Sequence, residues 1–309
     1  MRVVFLGTPD VAVPALEALV AAADVEVVAV LTNPDRPKGR SKTPVPPPVK
    51  LAAQAHGLEV WQPLKPAEVL DDLAALRVDA CAVVAYGALL PQRVLDVGGR
   101  GFVNLHFSLL PRWRGAAPVQ HALRAGDEIT GITTFVLDKG MDTGPVLDRV
   151  EVAIDPDESA GELLARLAVL GGPVLVDSIR RLVAGEEPVP QPAEGATLAP
   201  KITPDDVRVD WEAPARAVHD LVRSAEPAPG AHTTFRGKRL KLRATRLVDA
   251  FGEPGEVVER RGDGVVVATG AGGLLLAAVQ PEGKAVMDGQ AFLLVHRSTS
   301  PRRSPGSGR

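Results

Sequence analysis

Two polar side chains with catalytic potential lie two positions apart in an otherwise apolar run. The run GFVNLHF spans residues 101–107 and contains Asn104 and His106. Its composition predicts a strand, and side chains two apart in a strand point to the same face. An amide N–H can stabilise a developing oxyanion, and an imidazole can donate or accept a proton. The chain has only two asparagines, Asn33 and Asn104, so we interpret Asn104 beside a histidine as a reactive pair rather than as strand-edge packing.

A glycine turn supplies two carboxylates further along the chain. LDKGMDTG spans residues 137–144 and contains Asp138 and Asp142. A carboxylate there can hydrogen-bond an imidazole, orient it and stabilise its protonated form. Asp and Gly also favour turns for conformational reasons alone, so this motif by itself leaves both interpretations open. Together with Asn104 and His106 it indicates transfer of an acyl-like group, with Asp142 tuning the histidine.

Other kinds of active site fit the sequence less well. Ser108 follows the same strand, but no GxSxG nucleophile elbow surrounds it, which disfavours a serine hydrolase. The sequence has no HExxH motif and no pair of cysteines, and its six histidines are scattered, so we predict no metal centre. GTPD at residues 7–10 lies where a dinucleotide fingerprint would occur but is not GxGxxG, which disfavours a nicotinamide cofactor.

Alternating strands and helices must position these side chains. Helical patterns separate short apolar runs at residues 2–7, 25–32, 58–63, 78–87 and 101–107. This alternation predicts an α/β domain with a doubly wound, mostly parallel, Rossmann-like sheet, in which ligands bind beyond the carboxyl ends of the strands. Asn104 and His106 stand near such an end. Two more strands, joined by the turn at 137–144, and a long helix complete a predicted catalytic domain over residues 1–185.

The pattern changes after this domain. Residues 186–206 are rich in proline and predict a linker. After a short helix at 211–225, five strand patterns follow at short spacing with glycine turns and no helical crossover. They predict a small OB-type β-barrel within a second domain, residues 207–300. We predict that the tail, residues 301–309, is disordered.

Bulk composition narrows the class of protein. The 309 residues are 45% hydrophobic and 24% charged, and the first apolar run is too short for a signal peptide or a membrane span. We therefore predict a cytoplasmic protein without membrane attachment. The single cysteine, Cys81, lies within a predicted strand, where a buried inert thiol is expected.

Three basic patches interrupt a chain whose net charge is −3. They lie at residues 34–50, 108–115 and 235–246. The net charge disfavours a uniformly basic nucleic-acid binder, and any single patch is typical of a solvated surface. Three such patches in one acidic chain indicate an anionic partner.

The motifs together resemble a known family. With TNPDRPKGR, AYGALLP, NLHFSLLPRWRGAAP and LDKGMDTG in order, the chain is similar to the methionyl-tRNA formyltransferases, within the wider family that uses 10-formyltetrahydrofolate. The similarity runs from Met1 across both predicted domains. It implies 10-formyltetrahydrofolate as co-substrate, no metal, and formyl transfer to the α-amino group of methionine on initiator tRNA. It also implies Asn104, His106 and Asp142 as the formyl-transfer residues, with Ser108 in a supporting role.

The resemblance also assigns binding residues. It implies folate contacts from residues near the strand ends: Tyr86, Gly87, Leu89, Ser108, Leu109, Leu110, Pro111 and Asp138. It implies tRNA contacts from the basic patches: Arg36, Lys38, Arg40, Lys42, Arg112, Arg114, Lys238, Arg239 and Lys241. The loop at 33–49 would enter the acceptor end of the tRNA. Phe107 occupies a position where small residues are common in the family, and we expect it to pack away from the His106 face. Nothing in the sequence demands more than a monomer.

Three alternatives remain at this level. The same folate chemistry can serve another amine, such as a nucleotide sugar or a glycinamide ribonucleotide, but a small acceptor needs neither a basic loop nor a basic barrel. A non-catalytic RNA-binding protein has no need of Asn104, His106 and Asp142. A folate hydrolase would release formate and would have little use for a basic second domain.

Overall fold

The computed structural model describes residues 1–37 and 43–295, which divide into two compact units. The first unit contains residues 1–122 and 127–201. The second contains residues 123–126 and the described residues from 202 onward. Three of the predicted tRNA contacts and the predicted disordered tail lie outside the described residues: Lys38, Arg40, Lys42 and 301–309.

A seven-stranded sheet forms the centre of the first unit, and a separate two-stranded hairpin accompanies it. The strands are β1 (Arg2–Gly7), β2 (Glu26–Leu31), β3 (Arg36–Pro37), β4 (Pro44–Val45), β5 (Val60–Trp61), β6 (Ala80–Val84), β7 (Phe102–His106), β8 (Ile129–Val136) and β9 (Val146–Ala153). The hairpin is β3–β4, and the sheet has the order β5-β2-β1-β6-β7-β8-β9. The first five strands in that order are parallel, and β8 and β9 are antiparallel to their neighbours. The predicted mostly parallel, Rossmann-like sheet is confirmed.

Helices lie in the connections between these strands, and a further long helix follows β9. They are α1 (Val13–Ala21), α2 (Pro48–Ala55), α3 (Leu70–Leu76), α4 (Gln92–Leu95), α5 (Pro118–Arg124) and α6 (Ala160–Val183). The long helix α6 begins with a capping box, in which Ser159 and Glu162 each accept a backbone N–H from the other. It packs on α1, β7 and β8, and Leu105 and Phe135 of those strands are buried. The strand that carries Asn104 and His106 is therefore fixed between neighbouring strands and covered by α6.

The strand register brings the carboxyl ends of β1, β6 and β7 to one edge of the sheet. Gly7 pairs with Val84, and Val83 pairs with Asn104. On its other side β7 pairs with β8, where His106 lies opposite Thr133. The loop that leaves β6 consequently begins beside Asn104, at the edge where ligands bind in open α/β sheets.

Much of the predicted linker is part of the first unit, which extends to Lys201. Val189 exchanges both backbone hydrogen bonds with Val146 of β9, at 2.7 and 2.8 Å. Further along, Ala199 donates its N–H to the carbonyl of Arg114 at 2.7 Å and accepts the N–H of Ala117 at 3.0 Å. Prolines remove helical and strand periodicity from a sequence, but they do not prevent an extended segment from pairing with a neighbouring loop.

The second unit is built on an antiparallel sheet. Its elements are α7 (Ala215–Ser224), β10 (His232–Phe235), β11 (Lys238–Val248), β12 (Val257–Arg261), β13 (Gly264–Ala268), β14 (Gly273–Pro281), β15 (Met287–Asp288) and α8 (Gly289–Val295). The sheet order is β10-β11-β14-β13-β12, with β15 paired to β14. The predicted helix and five strands are confirmed. Among the described residues no pairing joins β10 to β12, so the predicted closed OB-type barrel is not confirmed.

The single cysteine and the apolar character of the helices were also the subject of predictions. Cys81 is fully buried, and burial raises the pKa of its thiol, as expected for an inert core cysteine. Across residues 1–37 and 43–295, no helix has the length and apolar character needed to cross a membrane.

Candidate active site

A cavity of about 590 Å³ lies at the carboxyl edge of the first unit's sheet. Its walls are the end of β6 with the loop that follows, the end of β7, the loop at 115–118 and the turn at 137–142. Asn104, His106 and Asp142 all contribute to the lining. Residues that are 38 positions apart in the chain thus meet at one concave surface, as the sequence predicts.

His106 is buried and has a defined hydrogen-bonding state. Its Nε2 lies 2.8 Å from the carbonyl oxygen of Trp113. Because a carbonyl oxygen can only accept, Nε2 carries a proton, and in the neutral ring Nδ1 is then the acceptor. Burial holds the pKa of His106 below its ordinary value, although the Asp142 carboxylate and the Trp113 carbonyl both favour the imidazolium. The resting histidine is therefore a neutral imidazole whose Nδ1 can take up a proton.

Asp142 is the carboxylate that faces this Nδ1. Its Oδ2 lies 3.8 Å from His106 Nδ1 and accepts the N–H of Gly115 at 2.7 Å. Asp142 has a φ of 53°, in the left-handed region, a conformation that costs a non-glycine residue about 1–3 kcal/mol and persists only where surrounding contacts enforce it. Gly115 has a φ of 126°, and a Cβ there would lie 2.7 Å from the Ala199 carbonyl oxygen. Glycine is thus needed for the loop to bring its N–H to Asp142.

Asp138 has a different place in the same turn. Its carboxylate accepts the N–H of Gly140 at 2.9 Å and the hydroxyl of Thr143 at 2.8 Å. It also lines the cavity. Of the two interpretations that the sequence left open, turn chemistry applies to Asp138, and the carboxylate near the imidazole is Asp142.

The predicted folate contacts separate into two groups. Tyr86, Gly87, Leu89 and Asp138 line the cavity. Leu89 is 86% exposed, so its apolar side chain is available to a ligand. Four other predicted contacts lie in the loop after β7 and are not lining residues: Ser108, Leu109, Leu110 and Pro111.

Ser108 instead supports the loop that contacts His106. Its hydroxyl donates to the Arg112 carbonyl at 2.7 Å, one residue before the carbonyl that accepts from His106. Phe107 is 7% exposed and also contributes to the cavity wall. Phe107 is thus buried, but it contributes to the wall of the same cavity as His106, so the expectation that it packs away from this site is not confirmed.

Asn33 holds the loop that follows β6. Its Nδ2 donates to the Tyr86 carbonyl at 2.9 Å and to Thr8 Oγ1 at 3.1 Å, and the Thr8 hydroxyl itself donates to the Tyr86 carbonyl at 2.9 Å. The sequence marked Asn33 by its rarity but assigned it no role. These contacts cross from β1 and β2 to the loop after β6, and no local sequence pattern encodes them.

Two of the predicted tRNA contacts in the first unit, Arg112 and Arg114, have partners within that unit. Arg112 forms a two-pronged ion pair with Asp127, at 2.7 and 3.1 Å, and its guanidinium lies 4.3 Å from the centre of the Trp113 ring. Arg114 donates to Gln191. Arg36 is exposed on β3. Gln191 lies in the predicted linker, where no periodic or motif signal in the sequence marks it as a partner of Arg114.

A basic face runs along β11 in the second unit. Lys238 and Arg239 are exposed, and Lys241 donates to the Pro229 carbonyl at 2.7 Å. Alternation in a strand directs Arg239, Lys241 and Arg243 to the same face. The pKa of His232 is lowered by burial and by the positive charges of Arg239, Arg208 and Lys241. Although Arg243 is paired with Glu226 at 2.7 Å, this face has a positive local potential.

The titration of His106 gives a direct check on the site. We expect its pKa to lie below 6.5, and to fall further in Asp142→Asn because the nearby negative charge that favours the imidazolium is lost. The measurement is NMR of labelled histidine side chains over a pH series, with the His106 resonance assigned from its absence in His106→Gln. A His106 that titrates at or above 6.5 in the native protein would contradict the neutral resting state.

No cluster suited to a metal ion accompanies these groups. In the part of the chain that the structure describes, no group of three or more His, Cys, Asp or Glu side chains is arranged to hold one. Asn104, His106 and Asp142 bring an amide, an imidazole and a carboxylate to the cavity, and such groups act by hydrogen bonding and proton transfer.

Comparison with family models defines the class of protein. Residues 1–179 match the model described as Formyl transferase, and residues 201–297 match Formyl transferase, C-terminal domain. The two matches correspond closely to the two compact units. The class is that of two-domain formyl transferases.

Full-length relatives narrow this class. The chain is 52% identical to a methionyl-tRNA formyltransferase of Streptomyces coelicolor, over 93% of this chain and 94% of that protein. It is 48% identical to one of Ruegeria pomeroyi, over 95% and 96%. The chain belongs to the methionyl-tRNA formyltransferase family.

Solved structures share the fold. An N-formyltransferase from Helicobacter canadensis, in complex with folinic acid and dTDP-3-aminofucose, has a TM-score of 0.68 at 16% identity, over 91% of this chain and 99% of that one. HypX from Aquifex aeolicus in complex with tetrahydrofolic acid has a TM-score of 0.65 at 18% identity, over 95% and 47%. The chain spans about half the length of HypX. At these identities the likeness concerns the fold alone.

Proposed function

We propose that this protein transfers the formyl group of 10-formyltetrahydrofolate to the α-amino group of methionine on initiator methionyl-tRNA, for translation initiation. The observation that carries the proposal is the convergence of Asn104, His106 and Asp142 on one cavity. The family membership supports both substrates.

The cavity suits the folate co-substrate. Apolar side chains of Leu89, Leu90 and Leu137 contribute to its walls, and the loop after β6 and the turn at 137–142 add backbone groups. A volume of about 590 Å³ is within the range of small-molecule sites. We propose that Tyr86, Gly87, Leu89 and Asp138 contact the folate, and that residues 108–111 support the site from the adjoining loop.

Asn104 acts on the formyl oxygen in this mechanism. Attack by the neutral amine on the formyl carbon places negative charge on that oxygen. An amide N–H held at the end of β7 donates to the developing charge, and it does so without reorganisation because the strand is fixed in the sheet. The observed position of Asn104 in the cavity wall supports this role.

His106 and Asp142 handle the protons. The attacking nitrogen must lose a proton, and neutral His106 can accept it at Nδ1 because Nε2–H is already donated to Trp113. The resulting imidazolium lies beside the negative Asp142 carboxylate. The proton then passes to the folate nitrogen that leaves, which restores the neutral histidine. Over one turnover the proton lost by the amine is carried by His106 to the leaving folate nitrogen, so the protons balance.

The tRNA would bind through basic residues of both units. We propose that the loop at 33–49 contacts the acceptor end, with Arg40 as its main cation, and that Lys238, Arg239 and Lys241 contact phosphates. Phosphate contacts give affinity without sequence specificity. An OB-type arrangement of the second sheet, a monomeric state and a cytoplasmic location remain parts of this proposal.

An acceptor comparison tests the proposed function. The purified protein is supplied with 10-formyltetrahydrofolate and either initiator methionyl-tRNA, free methionine or a nucleotide amino-sugar. We expect rapid formylation of the charged tRNA alone. Formylation of the sugar would overturn the tRNA assignment while retaining the chemistry of the site, and hydrolysis to formate with no transfer would overturn both.

The salt dependence of tRNA binding tests the basic face. We expect the double variant Lys238→Ala, Arg239→Ala to reduce the slope of log affinity against log salt by about one unit for each phosphate that it no longer neutralises. Binding is measured by filter retention between low and moderate salt. Arg261→Ala is the matched control, because Arg261 lies on β12 at the other edge of the same sheet and is paired with Glu259. An unchanged slope in the double variant would show that Lys238 and Arg239 do not contact phosphates.

A further inference from the structure

Gln191 connects a segment outside the cavity to the turn that carries Asp142. Its Nε2 donates to the Asp142 carbonyl at 2.9 Å and to the Gly144 carbonyl at 2.7 Å. Its Oε1 accepts two N–H groups of Arg114, at 3.1 and 2.7 Å. One amide thus links the catalytic turn at 137–144 to the loop that follows β7.

The orientation of this amide is set by its partners. Two carbonyl oxygens lie on one side and a guanidinium on the other, so only the nitrogen can face the carbonyls and only the oxygen can face Arg114. A rotated amide would place acceptor against acceptor and donor against donor. The arrangement therefore depends on a side chain that has both a donor and an acceptor at this length.

Asp142 needs such support because its backbone is in the left-handed region, at φ 53°. Its side chain is held by the Gly115 N–H, and its carbonyl is held by Gln191. Gly144 allows the turn to close, since a Cβ there would collide with the Val136 carbonyl oxygen. The turn is thus fixed from both its side-chain and its backbone groups.

The segment that carries Gln191 is itself anchored on both sides. Val189 pairs with Val146, and Thr197 accepts the N–H of Arg114 at 2.9 Å through its carbonyl. The Thr197 hydroxyl accepts the N–H of Trp113 at 2.9 Å, next to the carbonyl that binds His106. The same segment therefore contacts the loops that position both Asp142 and His106.

We propose that Gln191 is a positioning residue that holds Asp142 beside His106, and that Arg114 acts through Gln191 rather than by contact with tRNA. The role deepens the proposed function and rests on it. Neither side chain need touch a substrate. Their effect is to keep the Asp142 carboxylate close to the His106 ring, where its negative charge stabilises the imidazolium formed during formyl transfer.

The test compares Gln191→Ala and Gln191→Glu with the native protein. The glutamate keeps the length and an acceptor for Arg114, but it loses both N–H donors and sets a carboxylate against two carbonyls. We expect kcat to fall by about 10- to 100-fold in both variants, as for a displacement of reacting groups by about 1 Å. The KM values for folate and for methionyl-tRNA should stay close to native. Gln54→Ala, an exposed amide on α2, is the matched control.

Two readouts separate positioning from a general structural effect. The His106 pKa, measured by NMR, should move below its native value in Gln191→Ala because Asp142 shifts away. Gln191→Glu adds a negative charge of its own, so only its kcat enters the comparison. Arg114→Ala should lower kcat and move the His106 pKa in the same direction, with no change in the salt slope of tRNA binding.

An unmoved His106 pKa with native kcat in folded Gln191→Ala would overturn the proposal. So would an Arg114→Ala variant whose main defect is a flatter salt slope. Because the NMR measurement requires no turnover, it still tests Gln191 if the native protein proves to formylate another acceptor.

Discussion

Replacement of Asn104 by alanine is expected to lower kcat for formyl transfer by about 100-fold or more, which is typical of removing one oxyanion donor. The affinity for methionyl-tRNA should be unchanged, because Asn104 lies in the cavity wall of the first unit and its proposed contact is with the formyl oxygen. Single-turnover formylation gives the rate of the chemical step, and equilibrium binding gives the affinity.

A charge-matched comparison sharpens this prediction. Asn104→Asp has nearly the same shape but replaces the N–H donor with a negative acceptor, so it should be at least as slow as Asn104→Ala. Gln54→Ala serves as the control for loss of an amide on an exposed surface. If turnover and tRNA binding fell equally in Asn104→Ala, the residue would be structural and the oxyanion role would be ruled out.

Neutralising Asp142 is expected to have a comparable effect on turnover. In Asp142→Asn the amide oxygen can still accept the N–H of Gly115, so the loop contact at 2.7 Å in the native protein can persist. The negative charge 3.8 Å from His106 Nδ1 is removed, and with it the stabilisation of the imidazolium formed during proton transfer. A decrease in kcat of about 100-fold or more is expected for loss of such acid–base assistance.

Comparing Asp142→Ala with Asp142→Asn separates the effect of the negative charge from the effect of the contact with Gly115. Asp142→Ala loses both the charge and the acceptor for Gly115, so it should be slower than Asp142→Asn and less resistant to heat. The isosteric control is Asp96→Asn, an exposed carboxylate near the end of α4. Near-native turnover in Asp142→Asn would show that the carboxylate is not needed for proton handling, and the mechanism would then depend on His106 alone.

Local patterns in the sequence were sufficient to predict the sheet of the first domain and to single out Asn104 and His106. A strand repeats every two residues and a helix every 3.6, so their periods are visible over short windows. Asn104 and His106 were placed on one face of β7 by this spacing alone. The five strand patterns of the second domain were readable for the same reason, and each is a strand in the structure.

Contacts between distant segments were not readable in this way. The sequence and the family resemblance named Asp142 as the carboxylate beside His106 and Asp138 as a folate contact, but only the folded turn shows how each is held: Asp142 lies 3.8 Å from His106 Nδ1, and Asp138 accepts the N–H of Gly140. Loop conformation decides the matter, because a left-handed φ at one residue redirects its side chain.

The partner of a charged side chain also depends on contacts between distant segments of the chain. The charge pattern marked the patch with Arg112 and Arg114 for an anionic partner and the family resemblance assigned both residues to tRNA; the fold adds that they contact Asp127 and Gln191. A basic side chain looks the same in a sequence whether its partner is a phosphate or a neighbouring acceptor.

The sequence by itself therefore determined the α/β fold of the first domain and five of the six described strands of the second, and it singled out the three side chains proposed for the site. Only the tertiary structure decided how the site is held. It showed that the proline-rich segment after α6 belongs to the first unit, that Gln191 contacts the turn of Asp142, and that the described strands of the second sheet do not join β10 to β12. The physical reason is range: periodicity and turn preference act over a few residues, whereas these contacts join segments tens of residues apart and form only when the chain is folded.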